Sequence, residues 1–502
     1  MSGNVFYKKH RRGALEQSKE LNGTHLSQNL SENIEALHRF LPIGTSFDLL
    51  TRDLYLGETK AYWIGVNGFC KTELLQRIFS DLQNPARLPK SGIEDLAYYM
   101  DTQIGFSSVE TTSEWDVLLK NLLSGPSVLF VDGFDQALIL DARTYPVRGI
   151  EEPESEQVTQ GARDGFVETL LFNANLIRRR VRGNDLTFAM HTVGSVSRTD
   201  VAVAYLAGSV NKRLLTALNQ ALDNLQVTSL TLGAKSLAEL LVPHRLWNPL
   251  PSIQYTERPD VACSYLMEGH ILILVDNSPL ALIFPGTVFQ FTQSPEDYYK
   301  SPLVGTYFRL VRFACIPVTL LILPTFLLLA LYYPQIGEKW QLLSAEPAGP
   351  ARLIFYVFAV EFILDVFKYS AALTSGRYAA SLSIVGGLLI GDIAVTLHWA
   401  STEVLFYGAI SLLASLSLSS VEFADALRVY RIFMLILTAA LGPAGYAAGL
   451  LLVLLSFATT PGFGGMSYFW PLFPFNREAL GTLLFRYPTA KAQPSNVWRR
   501  SK

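Results

Sequence analysis

Cysteine is scarce: Cys70, Cys263 and Cys315 are the whole complement, odd in number and far apart. That set gives no disulfide framework and no zinc-ligand spacing. The seven histidines are equally scattered, so metal chemistry has little support. There is no Walker A loop, no GxGxxG after a strand, no HExxH and no GxSxG. Phosphate binding and nucleophilic catalysis therefore lack their usual residues, an enzyme is disfavoured, and no cofactor is expected. Charge is also thin, at 17% of residues with a formal net of −2; no nucleic-acid partner is expected. The aspartates of "VDGFD" and "ILVDN" sit at strand ends, where turn formation explains them.

The first 40 residues carry "KKHRR" (Lys8 to Arg12) but no apolar h-region, so no signal peptide is read there. Residues 1–41 read as a disordered basic tail, with attraction to anionic lipid as the alternative.

Apolar residues make up 50% of the chain and are unevenly spread. Up to about Phe308 the sequence alternates like a soluble protein. From Phe313 to Tyr333 there is no charge across 21 residues, and roughly 20 apolar residues span a bilayer core. Tyr307, Tyr332, Tyr333 and Trp340 suit interfacial aromatic belts. Further candidate spans are Leu353–Leu373, Ser381–Trp399, Val404–Ser420 and Ile432–Phe457. The expected class is α+β: two small α/β units and a connecting β-hairpin piece, then a C-terminal α-helical transmembrane bundle. The expected boundaries are 42–110 for the first α/β unit, 111–242 for the second and 243–306 for the connector. The bundle takes 307–460, and a basic tail 461–502.

Within the first part, "FDLLTRDLYLGETKAYWIGVNGF" reads as two strands with a turn at Gly57–Thr59. "KTELLQRIFSDLQ" has helical spacing. In "TTSEWDVLLKNLLSGP", Thr111 and Glu114 form a possible capping box, and Gly125 with Pro126 a stop. "SVLFVDGFDQALILD" reads as a hairpin, "DVAVAYLAG" as a buried strand and "ILILVDNSPLALIFP" as two short strands about a turn. No motif repeats at a fixed period. A long helix is expected near Glu156–Arg182. Glu151, Glu152, Glu154 and Glu156 precede or open it, and Arg178, Arg179, Arg180 and Arg182 close it, both favourable to the helix dipole. Two readings stand: a solvated, self-paired helix, or an intersubunit contact surface built from Glu151, Glu152, Glu154, Arg178, Arg179 and Arg180.

The apolar half holds an anomaly. Glu361, Asp365 and Lys368 lie at i, i+4 and i+7 inside a candidate span and share one helical face. A charge at mid-bilayer costs at least about 2.5–3.5 kcal/mol, so this face must meet protein or water. An internal Asp365–Lys368 pair packed in a bundle, a helix lining an aqueous path between subunits, and a surface-lying helix are the three readings. Asp392 poses the same problem. Gly387 and Gly391 beside it make a small-xxx-small pair for close helix packing. "LGPAG" (Leu441 to Gly445) interrupts the last span as a kink or as the turn of a hairpin. The tail's six bases place it in the cytoplasm by the positive-inside rule. With both ends inside, an even number of crossings is required, yet five candidates are counted.

"IEEPESE", "RDGFVETLLFNANLIRRR", "SRTDVAVAYLAG", "YTERPDVACSYLMEGHILILVDNSPLALIFP", "SPLVGTYFRLVRF" and "SIVGGLLIGDIAV" occur in this order. Together they resemble the signature blocks of the GerA family of spore germination proteins, over roughly Phe47 to Pro488. The block from Tyr255 to Phe313 resembles a sporulation-protein branch more than the receptor A subunits. Ala162 in "GARDGF" stands where receptor subunits tend to have proline, and Lys368 where many relatives carry an acid. The resemblance implies a multi-pass protein of the spore inner membrane, with its soluble region and tail on the core side. It also implies a homo-oligomer that passes or controls ion flow beside other spore membrane germination proteins. A nutrient-receptor A subunit and a non-conducting scaffold or sensor are the alternatives.

Overall fold

The computed structural model describes residues 24–83, 96, 108–144, 156, 158, 161–242, 247–339, 349–373, 396, 401–460, 462–465 and 467–487. These fall in two compact units, one of residues up to 242 with 255–285, the other of 247–254 with 286–487.

The first unit contains two modules. In the first, helix α1 (Leu30–Phe40) precedes strands β1 (Leu49–Leu56) and β2 (Thr59–Val66), helix α2 (Thr72–Leu82) and strand β3 (Val109–Thr112). Helix α3 (Trp115–Ser124) and strands β4 (Ser127–Val131) and β5 (Ala137–Leu140) complete it. Its antiparallel sheet has the order β1-β2-β4-β5-β3. Every residue of β4 and β5 is buried, as expected of inner strands covered on both faces. Gly125, at φ 123°, ends α3 where the sequence placed its stop.

The second module repeats this plan. Helix α4 (Leu170–Arg180), strands β6 (Leu186–Val193) and β7 (Thr199–Leu206), and helix α5 (Lys212–Asp223) come first. Strand β8 (Gln254–Thr256), helix α6 (Pro259–Met267) and strands β9 (Ile271–Val275) and β10 (Ala281–Phe284) follow. The order is β6-β7-β9-β10-β8, the same permutation. The likeness extends to single bonds. Leu30 N–H donates to Asp132 Oδ1 at 3.1 Å, and Leu170 N–H to Asp276 Oδ1 at 3.1 Å. Asn33 Oδ1 accepts from Ser27 N–H (2.9 Å), and Asn173 Oδ1 from Val167 N–H (2.8 Å). The aspartates of "VDGFD" and "ILVDN" thus satisfy free N–H groups at the starts of two equivalent helices. The repeat escapes a fixed-period search because its loops differ. Gly57 and Glu58 join β1 to β2, whereas residues 194–198 join β6 to β7.

Several sequence expectations are corrected. The disordered tail through residue 41 is contradicted for Leu30–Phe40, whose Leu30, Ala36 and Leu37 enter the module core. The second α/β unit does not start at 111. Strand β4 pairs with β2, Ala61 opposite Val131, so everything through β5 belongs to the first sheet. Nor is 243–306 a separate connector, because β9 pairs with β7 and makes that hairpin the inside of the second sheet. A hairpin's sequence does not state which strand it will lie beside. Thr111 belongs to β3, and α3 has Glu114 as N-cap without a side-chain bond, so the capping box is absent.

The long helix near Glu156–Arg182 contracts to α4. Gly161 has φ 139°, and Asn173 ties both backbone groups of Val167, so the chain before Thr169 is committed elsewhere. The arginine run divides as its helical spread requires. Arg178 is buried and donates to Asp48 Oδ2 (2.7 Å), Leu186 O (2.9 Å) and Gly183 O (3.2 Å). Asp48, also buried, accepts from Ser46 Oγ. Phe47 N–H donates to Phe188 O at 3.1 Å, with the two rings edge to face at 6.0 Å. This clasp joins the two modules. Arg180 meets both Asp164 oxygens at 2.6 Å, and Arg179 is exposed. Arg178 therefore serves no neighbouring copy, since its partner is inside its own chain. Glu151, Glu152 and Glu154 lie outside the described residues.

The second unit is helical: α7 (Pro302–Tyr332), α8 (Pro350–Leu373), α9 (Thr402–Leu416), α10 (Val421–Thr459) and α11 (Arg477–Leu484), with shorter pieces between. Among the described residues, α7 and α10 are long and apolar enough to cross a membrane. Helix α7 starts at Pro302, ahead of the expected Phe313, because buried Asp297 bridges two buried arginines whose remaining donors meet carbonyls and a hydroxyl. Arg309 Nε lies 3.2 Å from Asp297 Oδ2, and Arg312 meets the other oxygen. Arg309 also donates to Thr482 O at 2.9 Å, satisfying a carbonyl in the last turn of α11.

Helix α10 is a hairpin. Gly442, at φ 61° and ψ −136°, breaks it before Pro443, a conformation that favours glycine. Tyr430 and Ser456 hydroxyls then hydrogen-bond each other, though a straight helix would separate them by about 39 Å. A Cβ on Gly449 would lie 3.0 Å from Met434 Cγ, and Gly445 abuts the Leu437 carbonyl. The arms Val421–Leu441 and Pro443–Thr459 therefore run antiparallel in close contact.

Replacing Arg178 by methionine leaves Asp48 buried and uncompensated. We expect a loss of about 3–5 kcal/mol, against about 0.5 kcal/mol or less for exposed Arg179→Met. Thermal unfolding of the two full-length variants side by side measures the difference; equal losses would mean the clasp does not hold the modules together.

Candidate functional site

The three charges of α8 face the first arm of α10. Glu361 Oε1 accepts from Arg431 Nε at 3.0 Å, and Arg431 also bonds the Thr319 carbonyl (2.8 Å) and the Ser411 hydroxyl. Asp365 pairs with Arg428. Lys368 Nζ lies 2.6 Å from Asp425 Oδ1. The helices run antiparallel, so 361, 365 and 368 meet 431, 428 and 425 in turn. Of the three readings, the internal Asp365–Lys368 pair gives way to two interhelical ones, because each side chain points across the seam, where an opposite charge stands.

Burial is graded along the seam. The Glu361 and Arg431 side chains are 4% and 5% exposed, whereas Asp425 at the other end is 51% exposed. In an apolar surrounding, lone charges are the costly state and paired, hydrogen-bonded ones the tolerable state. Arg431 has carbonyl, hydroxyl and carboxylate partners. Among the described residues, Glu361 Oε2 and Thr319 Oγ1 are buried without a hydrogen-bond partner.

The order of signs fixes the register. Sliding α8 one turn to set Asp365 against Arg431 brings Lys368 against Arg428 and leaves Asp425 alone. Sliding it the other way sets Asp365 against Asp425 and leaves Arg431 without an acid. Both slips create a like-charge contact, so only the observed alignment is compensated. Apolar packing alone would not discriminate so sharply, since adjacent turns of leucine and valine offer similar surfaces.

Sequence reading singled out Glu361, Asp365 and Lys368 but missed Asp425, Arg428 and Arg431, having opened the last span at Ile432. The available signal was "DALRVYR", whose charges at i, i+3 and i+6 share a face and mirror the signs on α8. Gly387, Gly391 and Asp392 lie outside the described residues.

In the first unit, residues of three sequence blocks converge. Half-buried Glu156 accepts from Thr256 Oγ1 (2.6 Å) and Glu257 N–H (3.0 Å), and loss of solvent raises its carboxyl above the usual range. Arg258 donates to Ala162 O at 3.0 Å and Glu156 O at 3.2 Å. Glu156, the last acid of that run, is therefore tied to its own module.

Arg431→Met leaves Glu361 buried alone and is expected to cost about 3–5 kcal/mol. Glu361→Met with Arg431→Met removes both charges and should recover most of that loss. Thermal unfolding in detergent reads both. A double variant as unstable as the single one would show that apolar packing at this position, rather than charge pairing, sets the stability.

The family model described as Bacillus/Clostridium GerA spore germination protein matches residues 38–496. Stage V sporulation protein AF of Bacillus subtilis (strain 168) is 30% identical over 477 residues, covering 95% of this chain and 96% of that protein. Spore germination protein KA of the same organism is 27% identical over 488 residues, covering 95% and 88%. The N-terminal domain of the A subunit of the Bacillus megaterium spore germinant receptor GerK3 is 26% identical with a TM-score of 0.39. That match covers 52% of this chain and 96% of that one. The family match spans both units and all the residues of the seam: this chain belongs to the GerA family of spore germination proteins.

Proposed function

We propose that this protein is a membrane-embedded subunit that passes or controls ion flow during spore germination, working as a homo-oligomer beside other spore membrane germination proteins. Membership of the family supplies the germination context. The observation that carries the ion-flow reading is the seam. Six ionisable side chains lie on two neighbouring helices of the apolar unit. A membrane anchor needs none of them, and each adds a desolvation cost.

The seam's part in that function is to build rather than to bind. Glu361 and Asp365 each have a guanidinium partner within the chain, so neither is a spare carboxylate for a passing cation. They hold α8 in one register against the hairpin, and the path runs along surfaces this alignment positions. The hairpin also supports a multi-pass arrangement. Its two arms raise the five candidate spans to six, the even number required if both chain ends share one side.

A scaffold or sensor without conductance is the second reading, favoured by the same compensation of charge. Purified full-length protein in planar bilayers separates the two. Channel currents are expected, and Asp365→Asn with Arg428→Gln, which removes one pair with its charge balance intact, should alter gating more than cation selectivity. Silent bilayers that contain folded protein would favour the scaffold.

A further inference from the structure

We propose that the loop Ser467–Asn476 is an interfacial membrane anchor that inserts Leu472, Phe473 and Phe475 into the boundary between lipid headgroups and acyl chains.

The loop is built to present these side chains. Tyr468 and Trp470 are buried beneath it, Tyr468 in a cluster with Phe291, Phe423 and Phe457. Leu472 N–H donates to Phe469 O at 2.7 Å, and Asn476 N–H to Pro471 O at 2.9 Å, so the segment closes on itself. Asn476 Oδ1 then accepts from Ala479 N–H at 3.1 Å and starts α11. With that framework fixed, Phe473 and Phe475 are 74% and 69% exposed. Large aromatic side chains held outward by an ordered loop are a contact surface in search of an apolar partner.

Three observations identify lipid as that partner. The loop follows the end of the hairpin at Thr459, so it sits where a candidate span leaves the apolar layer. Its neighbours have the composition of a membrane interface. Arg486, just past α11, donates to Tyr298 O (2.7 Å), and its N–H to Thr306 Oγ1 (3.0 Å). This brings the end of α11 against the start of α7 and the turn before it, where Tyr298, Leu303 and Tyr307 are exposed. Exposed Arg477 follows the loop directly, and a base beside aromatics suits an anionic headgroup layer. Finally, the spacing fits. Tyr307 and exposed Tyr332 are separated along α7 by about 38 Å, close to the thickness of a bilayer with its headgroups. The collar at the start of α7 then lies at one interface.

The inference rests on reading α7 and α10 as spans, and the experiment keeps the two apart. A dansyl side chain is introduced in place of Phe473 in the full chain, and separately in place of Tyr55, an exposed residue of the first unit. Each protein is reconstituted into phosphatidylcholine–phosphatidylglycerol vesicles. Flotation after a carbonate wash tests the spans alone. In floated vesicles, dansyl at 473 should lose fluorescence to lipid carrying a shallow nitroxide and resist aqueous iodide; dansyl at 55 should do the reverse. Iodide quenching at 473 in protein that floats would overturn the anchor and leave the spans standing. Shielding at 473 without nitroxide quenching, lost when protein is diluted to one copy per vesicle, would assign the loop to a second copy and likewise overturn it.

Discussion

Charge taken out of water must meet its opposite, and that constraint organises this chain. It acts in three places. Asp48 and Arg178 join two modules, Asp297 bridges Arg309 and Arg312 at the start of α7, and Glu361 and Arg431 anchor α8 to the hairpin. In each case the partners are far apart in sequence or belong to different elements, so the pairing specifies tertiary arrangement. An apolar contact tolerates a neighbour shifted by a turn; a buried ion pair does not. The cost of desolvation thereby becomes a source of specificity, most clearly where lipid offers helices little hydrophobic reason to prefer one alignment.

Local structure was largely legible in the sequence. The hairpins at Gly57–Glu58, at "VDGFD" and at "DNSP" follow from turn residues between apolar runs, and α2 from its leucine and isoleucine spacing. What local pattern does not carry is partnership. Strands β4 and β5 read correctly as a hairpin but were assigned to the wrong sheet, because pairing with β2 depends on residues seventy positions earlier. The same limit applied to the seam. Glu361, Asp365 and Lys368 announce by cost alone that they need partners, whereas Arg428 and Arg431 lie just outside the span read from Ile432 and carry no such signal on their own. The arginine run shows the converse. Adjacent residues of one type invite one role, but at 100° per residue Arg178, Arg179 and Arg180 face the interior, the solvent and a local aspartate.

The repetition of the module has a consequence for how far it extends. Where the two modules meet, Phe47 lies against Phe188 beside the buried Asp48. Strand registers place Asn184 and Thr51 at the corresponding positions on the outward sides. At this pair of positions the repeat has rings where the modules meet, and a hydroxyl and an amide at the equivalents. The ring-to-ring contact that joins the two modules is therefore not offered again at Thr51 or at Asn184, so this joint is made once and is not passed on from module to module as in an extended array.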